Sequence, residues 1–140
     1  MKRLLWIAAI ALVVVSCNKD QKAVKRLDGT WNVSSWLATW NGTTEEYIAD
    51  GYTFTMKFDN CKLKDEEFCS ITMTEAYQGS TDSYVMEYRV AGGGTSLEIR
   101  DLDYPSELTY FRIDEMTKDK LVLYLDEGDG DYSTLTLNKE

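Results

Sequence analysis

The sequence predicts an all-β domain of eight antiparallel strands, an up-and-down barrel or a sandwich, behind a short leader. Three observations carry that expectation. Apolar and polar residues alternate with a period of two in one segment after another. Asn, Asp, Gly and Ser gather between those segments as turns, and no convincing helical run appears inside the domain. A chain of 140 residues supports one domain with a real core. Closure removes the two exposed edges an open sheet would leave, and eight strands is the number at which a barrel either fills with side chains or holds one small ligand. An eight-stranded sandwich fits the same periodicity.

The chain opens with Met1-Lys2-Arg3, an unbroken apolar run from Leu4 to Val15, and Ser16-Cys17. That run has twelve residues, whereas a membrane-spanning helix needs about 20, so residues 1–16 read as a cleaved signal peptide. Val14-Val15-Ser16-Cys17 resembles the bacterial lipobox. The resemblance implies lipidation of Cys17, and its several acyl chains, at about 0.8 kcal/mol per buried methylene, would anchor the protein firmly. Asn18 follows the cysteine where inner-membrane retention would use Asp. By that analogy the expected location is the outer membrane, on its periplasmic or its surface face. Lys19-Asp20-Gln21-Lys22 is faintly similar to the charged export signals of Bacteroidetes-type surface lipoproteins. Within residues 17–28, Ala23, Val24 and Leu27 give one apolar-faced helical turn, which is plain linker unless, as the resemblance set out below implies, it plugs the closed end of the domain.

The domain itself is expected over residues 29–140. The first strand, 30–40, sets Trp31, Val33, Ser35 and Leu37 against Asn32, Ser34, Trp36 and Trp40, and Asn41-Gly42 turns it. The second, 52–59, alternates most cleanly, with Tyr52, Phe54, Met56 and Phe58 on one face. The third, 68–77, turns Cys69, Ile71 and Met73 inward, and the fourth, 83–90, does so with Tyr84, Met86 and Tyr88. Gly92-Gly93-Gly94 is the turn to the fifth, 95–100, which carries Leu97 and Ile99; a phosphate loop would need Gly-Lys-Ser/Thr and a following helix. In the sixth, 108–116, Leu108 and Tyr110 disagree in parity with Phe111 and Ile113, so a bulge is expected near Tyr110. Leu121, Leu123 and Leu125 point inward from the seventh, 120–126, as do Leu135 and Leu137 from the eighth, 131–139.

Gly29-Thr30-Trp31 at the head of eight such segments resembles the Gly-x-Trp opening of the lipocalins, and more closely that of the short lipocalin-like lipoproteins of Bacteroidetes-type bacteria. The resemblance spans residues 27–140 in strand count and order, and it tips the expectation from sandwich to barrel. It implies that Trp31 packs at the closed end beneath a basic side chain from near the end of the chain. Lys139 shares the parity of Leu135 and Leu137 and fits that place, a cation–π pair. The family's later Thr-Asp-Tyr motif has no match in position, since Leu102-Asp103-Tyr104 falls one hairpin early, and the animal lipocalins' C-terminal helix is absent.

Charge and composition exclude several functions. The formal net charge of −9 becomes −11 if Lys2 and Arg3 leave with a leader, which disfavours nucleic acid and bare anionic lipid surfaces as partners. There is no histidine, hence neither the commonest general base nor the commonest metal ligand. No catalytic set appears, so no enzyme, cofactor or metal is expected. Residues 126–131, Asp-Glu-Gly-Asp-Gly-Asp, lack the order of a calcium loop and read as a turn.

Cys61 and Cys69 flank the turn between the second and third strands in a compartment that permits a disulfide, free thiols being the alternative. Matching Phe58 with Ile71 sets a register one residue away from direct opposition of the two cysteines, so a bond requires a bulge or a diagonal bridge. Two functions remain open. In one, a lumen lined by Trp31, Tyr52, Phe54, Met56, Phe58, Ile71, Met73, Tyr84, Met86 and Tyr88 holds a small apolar or amphipathic molecule. In the other, the same list is a filled core and the barrel meets a protein partner through Trp36, Trp40 and its open-end loops; a bend in the long first strand would flip parity and turn Trp36 and Trp40 into core or rim packing instead.

Overall fold

The computed structural model describes residues 19–48 and 51–140. The expected leader and Cys17 lie outside the described residues. A helix over residues 19–27 precedes the sheet. The strands are β1 (Gly29–Trp40), β2 (Thr43–Glu46), β3 (Thr53–Phe58), β4 (Cys69–Tyr77), β5 (Ser80–Ala91), β6 (Ser96–Arg100), β7 (Leu108–Met116), β8 (Lys120–Gly128) and β9 (Asp131–Lys139). From β3 to β9 each pairs antiparallel with the next, and β1 pairs with both β3 and β9, which closes the barrel.

Eight of these are the expected strands; β2 is additional. It pairs only with β1, from Leu37↔Glu46 to Trp40↔Thr43, whereas β3 pairs with β1 only from Gly29 to Asn32. The short hairpin thus continues one side of β1 where β3 has diverged. Four consecutive polar residues, Thr-Thr-Glu-Glu, offer no alternation, so periodicity could not reveal it.

The first strand also bends. Its pairing with β9 slips between Val33 and Ser35, leaving Ser34 as the extra residue of a bulge. Parity therefore reverses beyond it. Trp36 pairs with Leu135 and packs against the core, while Leu37, expected inside, is 41% exposed. In β7 the bulge lies at Asp114, between Ile113 and Glu115, rather than near Tyr110. Tyr110 simply faces out, in unbroken register with Glu98.

Core side chains fill the end of the barrel where β1 begins. Trp31, Phe58, Ile71, Tyr88, Leu97, Leu121, Leu123 and Leu137 are completely buried there, with Val24 and Leu27 of the helix among them. The helix is a plug longer than the single turn expected, and it is hydrogen-bonded to the loops of that end. Gln21 donates to the Cys61 carbonyl and accepts from the Leu63 N–H, Asp20 accepts from the Gly94 N–H, and Arg26 donates to the Met116 carbonyl. The fully buried Trp31 indole N–H donates to the Leu27 carbonyl at 2.7 Å, joining the plug to the first strand.

The register of β3 on β4 matches Phe58 with Ile71 and Met56 with Met73, as the side-chain periodicity required. The ladder continues once more through the Asp59 N–H to the Ser70 carbonyl. Cys61 then lies in the loop and bonds diagonally to Cys69 at the first position of β4, with 5.5 Å between their Cα atoms. The disulfide closes the mouth of the loop without disturbing the strand pair. Beside it, Phe68 faces outward yet is buried, because the Arg89 and Arg100 guanidiniums lie over its ring at 4.8 and 3.6 Å from the centroid. Arg89 is held in turn by Glu67 and Glu98.

Candidate ligand site

The ten residues proposed to line the lumen divide by depth. Trp31, Met56, Phe58, Ile71 and Tyr88 are core of the closed end. Phe58 meets Tyr88 edge to face at 5.0 Å, and the Tyr88 hydroxyl donates to the Asp59 carbonyl. All five are at most 2% exposed. Phe54 and Met73 are buried one step higher, Met86 and Tyr52 are half-buried, and Tyr84 is 40% exposed.

Trp31 and Lys139 meet as paired positions of β1 and β9, with the Lys139 ammonium 5.2 Å from the indole centroid and donating to the Arg26 carbonyl. Gly29 makes room for this arrangement. Its φ is +118°, and a Cβ there would lie 3.1 Å from the Lys139 Cε, so any larger residue would be strained and would push the lysine stem aside.

Above the packed half the barrel opens into a cleft of about 680 Å³ lined by Trp36, Glu45, Glu46, Tyr47, Tyr52 and Tyr77. Five rings follow one another around it: Tyr47 to Trp36 at 5.4 Å, Trp36 to Phe54 at 5.9 Å, Phe54 to Tyr52 at 6.5 Å and Tyr52 to Tyr77 at 6.3 Å. The bulge at Ser34 is what turns Trp36 into this arc. Its indole N–H is the single buried side-chain polar atom without a hydrogen-bond partner among the described residues, a condition that native proteins rarely tolerate. Trp40, on the other hand, remains 39% exposed at the end of the strand.

Three carboxylates belong to this region, Glu45, Glu46 and Glu75. Glu46 accepts from the Ser35 hydroxyl at 2.5 Å, the Trp36 N–H at 2.7 Å and the Ile48 N–H at 3.1 Å, which fixes β2 and the start of the following loop against β1. Burial works against its charge, but those three donors outweigh it and hold the carboxyl below the ordinary range. Glu75 continues the inward parity of Ile71 and Met73 and accepts from the Tyr52 hydroxyl. Burial, and after it Glu75, raises both Tyr52 and Tyr84, so each stays a neutral hydroxyl. The inward polar groups gather at one end; Ser133, buried and bonded to Glu127, belongs to the same end.

Charge follows the same division. Residues 41–48, 51–52, 75–84, 101–107 and 126–131 make up the described open end and contain eleven Asp or Glu and no Lys or Arg. The closed end, residues 19–28, 57–67, 92–95, 114–120 and 138–140, has ten of each sign. The net negative charge therefore sits at the mouth. The 126–131 segment is the tip of the β8–β9 hairpin, the last residues of β8, the turn Asp129-Gly130 and the first residue of β9, with Asp126 accepting from the Gly128 N–H, and no group of three or more His, Cys, Asp or Glu among the described residues is arranged to hold a metal.

Of the cleft lining, sequence periodicity located Tyr52 but missed Glu45, Glu46, Tyr47 and Tyr77, with the neighbouring Glu75, and Trp36 enters it only through the bend of the first strand. Glu75 and Tyr77 were accessible in principle, since they share the odd parity of Cys69, Ile71 and Met73. Glu46 and Tyr47 carry no such signal.

No protein-family profile and no curated protein matches the chain. Among solved structures it is similar to a lipocalin-like protein from Bacteroides uniformis, at 16% identity and a TM-score of 0.53 over 82% of this chain and 99% of that one. It is similar to the same degree to a redesigned β-barrel, at 15% identity and a TM-score of 0.51, covering 84% of this chain and 95% of that one. A natural protein and a redesigned one match equally well, so the likeness is one of architecture. The described residues have a lipocalin-like fold, a closed eight-stranded antiparallel barrel with one helix among them.

Proposed function

We propose that the protein is a non-catalytic binding protein of the cell envelope, anchored by lipid at Cys17, that holds a small amphipathic molecule at the mouth of its barrel. The observation that supports this reading is the split interior. One half is packed solid, while the other leaves an aromatic cleft of about 680 Å³ in which the inward polar groups gather. Such a site, apolar walls with a few convergent polar groups, is what small-ligand pockets are made of. The ligand is accordingly shallow: it rests on Trp36, Tyr47, Tyr52 and Tyr77 and does not descend to Trp31. Two of the carboxylates at the cleft, Glu46 and Glu75, are engaged by hydroxyls and backbone N–H groups, an arrangement that orients a ligand.

A second reading, a packed barrel meeting a protein partner, draws on the open-end surface. From Ser80 to Met86, β5 pairs only with β4, and Tyr84 and Val85 on that edge are exposed. Native mass spectrometry of the full chain, released from membranes in mild detergent, separates the two. A co-purifying small molecule that disappears on denaturation and is lost in a Trp36→Ala, Tyr52→Ala variant establishes the binding protein. A bare polypeptide that stays bare after incubation with an envelope extract moves the assignment to the interaction module.

A further inference from the structure

We infer that the ligand taken at the mouth is a cation with an apolar body, an alkyl- or arylammonium rather than a fatty acid or a neutral lipid. The inference rests on the reading of the cleft as a ligand site and adds the sign of the charge. Three features of the molecule point to it. The walls are a run of aromatic rings whose faces attract cations. Glu45, Glu46 and Glu75 stand in or beside the cleft, and none takes part in a salt bridge among the described residues: the five found join Arg89, Arg100, Arg112 and Lys120 to carboxylates elsewhere. Finally, the described open end carries no Lys or Arg at all.

The hydrogen bonds already made by Glu46 and Glu75 do not neutralise them. Hydroxyl and amide donors stabilise a carboxylate while leaving its full charge in place, and here they aim that charge at a cleft with low-dielectric aromatic walls. Such a mouth focuses a negative potential outward and raises the local concentration of cations. An anionic amphiphile would meet the same field as repulsion, with no basic group to receive its head. A neutral one would use the rings and gain nothing from the carboxylates. Only a cation uses both, its charge against the carboxylates and ring faces, its apolar body on Trp36 and Tyr47.

The test is titration calorimetry on the full chain in a nonionic detergent, with three water-soluble probes of similar size: benzyltrimethylammonium, benzyl alcohol and phenylacetate. The expected order is the cation tightest, by about tenfold over the alcohol, and phenylacetate weakest. Cation affinity should fall as salt is raised while alcohol affinity does not, and the preference for the cation over the alcohol should shrink several-fold in a Glu45→Gln, Glu75→Gln variant. Equal binding of cation and alcohol, or tightest binding of phenylacetate, overturns the charge assignment and leaves the cleft as a ligand site. Binding of none of the three overturns the ligand site itself.

Discussion

Lys139 and Glu46 are single residues on which the two ends of the barrel depend in different ways. At the closed end, Lys139→Met keeps the aliphatic stem but removes the ammonium over Trp31 and its bond to the Arg26 carbonyl. A loss of about 1 kcal/mol in urea unfolding is expected, with no change in occupancy of the cleft. Glu46 reports on pH. Its carboxyl is held below the ordinary value of 4.5 in the folded protein, so it contributes stability that is present above that pH and lost as the pH falls through the lowered folded value. As the pH falls below 4.5, protection against hydrogen exchange should drop first at the Trp36 and Ile48 amides, which donate to Glu46. The closed-end amides of Trp31 and Leu137 should stay protected over the same fall in pH. A Glu46→Gln variant, in which this titration is absent, should show no such step.

Elements divide into those with a repeating pattern and those without one. Strands β3 to β9 were legible because each buries one face, and a period of two then leaves its mark on the residues themselves. Even the register of β3 on β4 followed from that pattern. The bulge at Ser34 was not legible at its position, because a single inserted residue changes parity without changing composition, and the identity of the inward residue beyond it reversed from Leu37 to Trp36. The plug helix was foreseen only as a turn, since its three apolar residues occupy one face and the rest of its sequence is solvated. Its importance to the closed end is measurable: Leu27, fully buried beneath the loops, should cost about 2–5 kcal/mol when cut to Ala. The neighbouring disulfide closes a loop with a sequence separation of 8. Reduction should lower stability by about 2.5 kcal/mol in the chain-entropy account and loosen residues 59–68 from Gln21, which a urea titration with and without reductant would show.

For the molecule as a whole, the two ends are opposites in packing, in charge and in their distance from the chain's beginning. The described chain starts at residue 19 in the plug, so whatever precedes it leaves from the closed end. If Cys17 carries lipid as proposed, only Asn18 separates the anchor from Lys19, and at about 3.5 Å per residue the closed end must lie against the headgroups. The charges agree with that placement, since the closed end is balanced in sign while the acidic mouth would be repelled by an anionic surface. The twelve residues of β1, at about 3.3 Å each and tilted by about 40°, carry the mouth roughly 30 Å farther out. Orientation is therefore a consequence of topology, and it can be measured. Fluorophores placed singly by Lys118→Cys at the closed end and Ser80→Cys at the open end occupy exposed turns or strand ends, and with Cys61 and Cys69 bonded to each other each new thiol can be labelled selectively in the lipidated protein. In liposomes containing a headgroup-attached quencher, the label at position 118 should be strongly quenched and that at position 80 nearly unaffected. The reverse pattern would put the mouth against the bilayer and point to ligand exchange with the membrane. Equal, weak quenching at both positions would mean that the barrel is not held at the surface by its closed end, and the anchoring at Cys17 would then have to be abandoned.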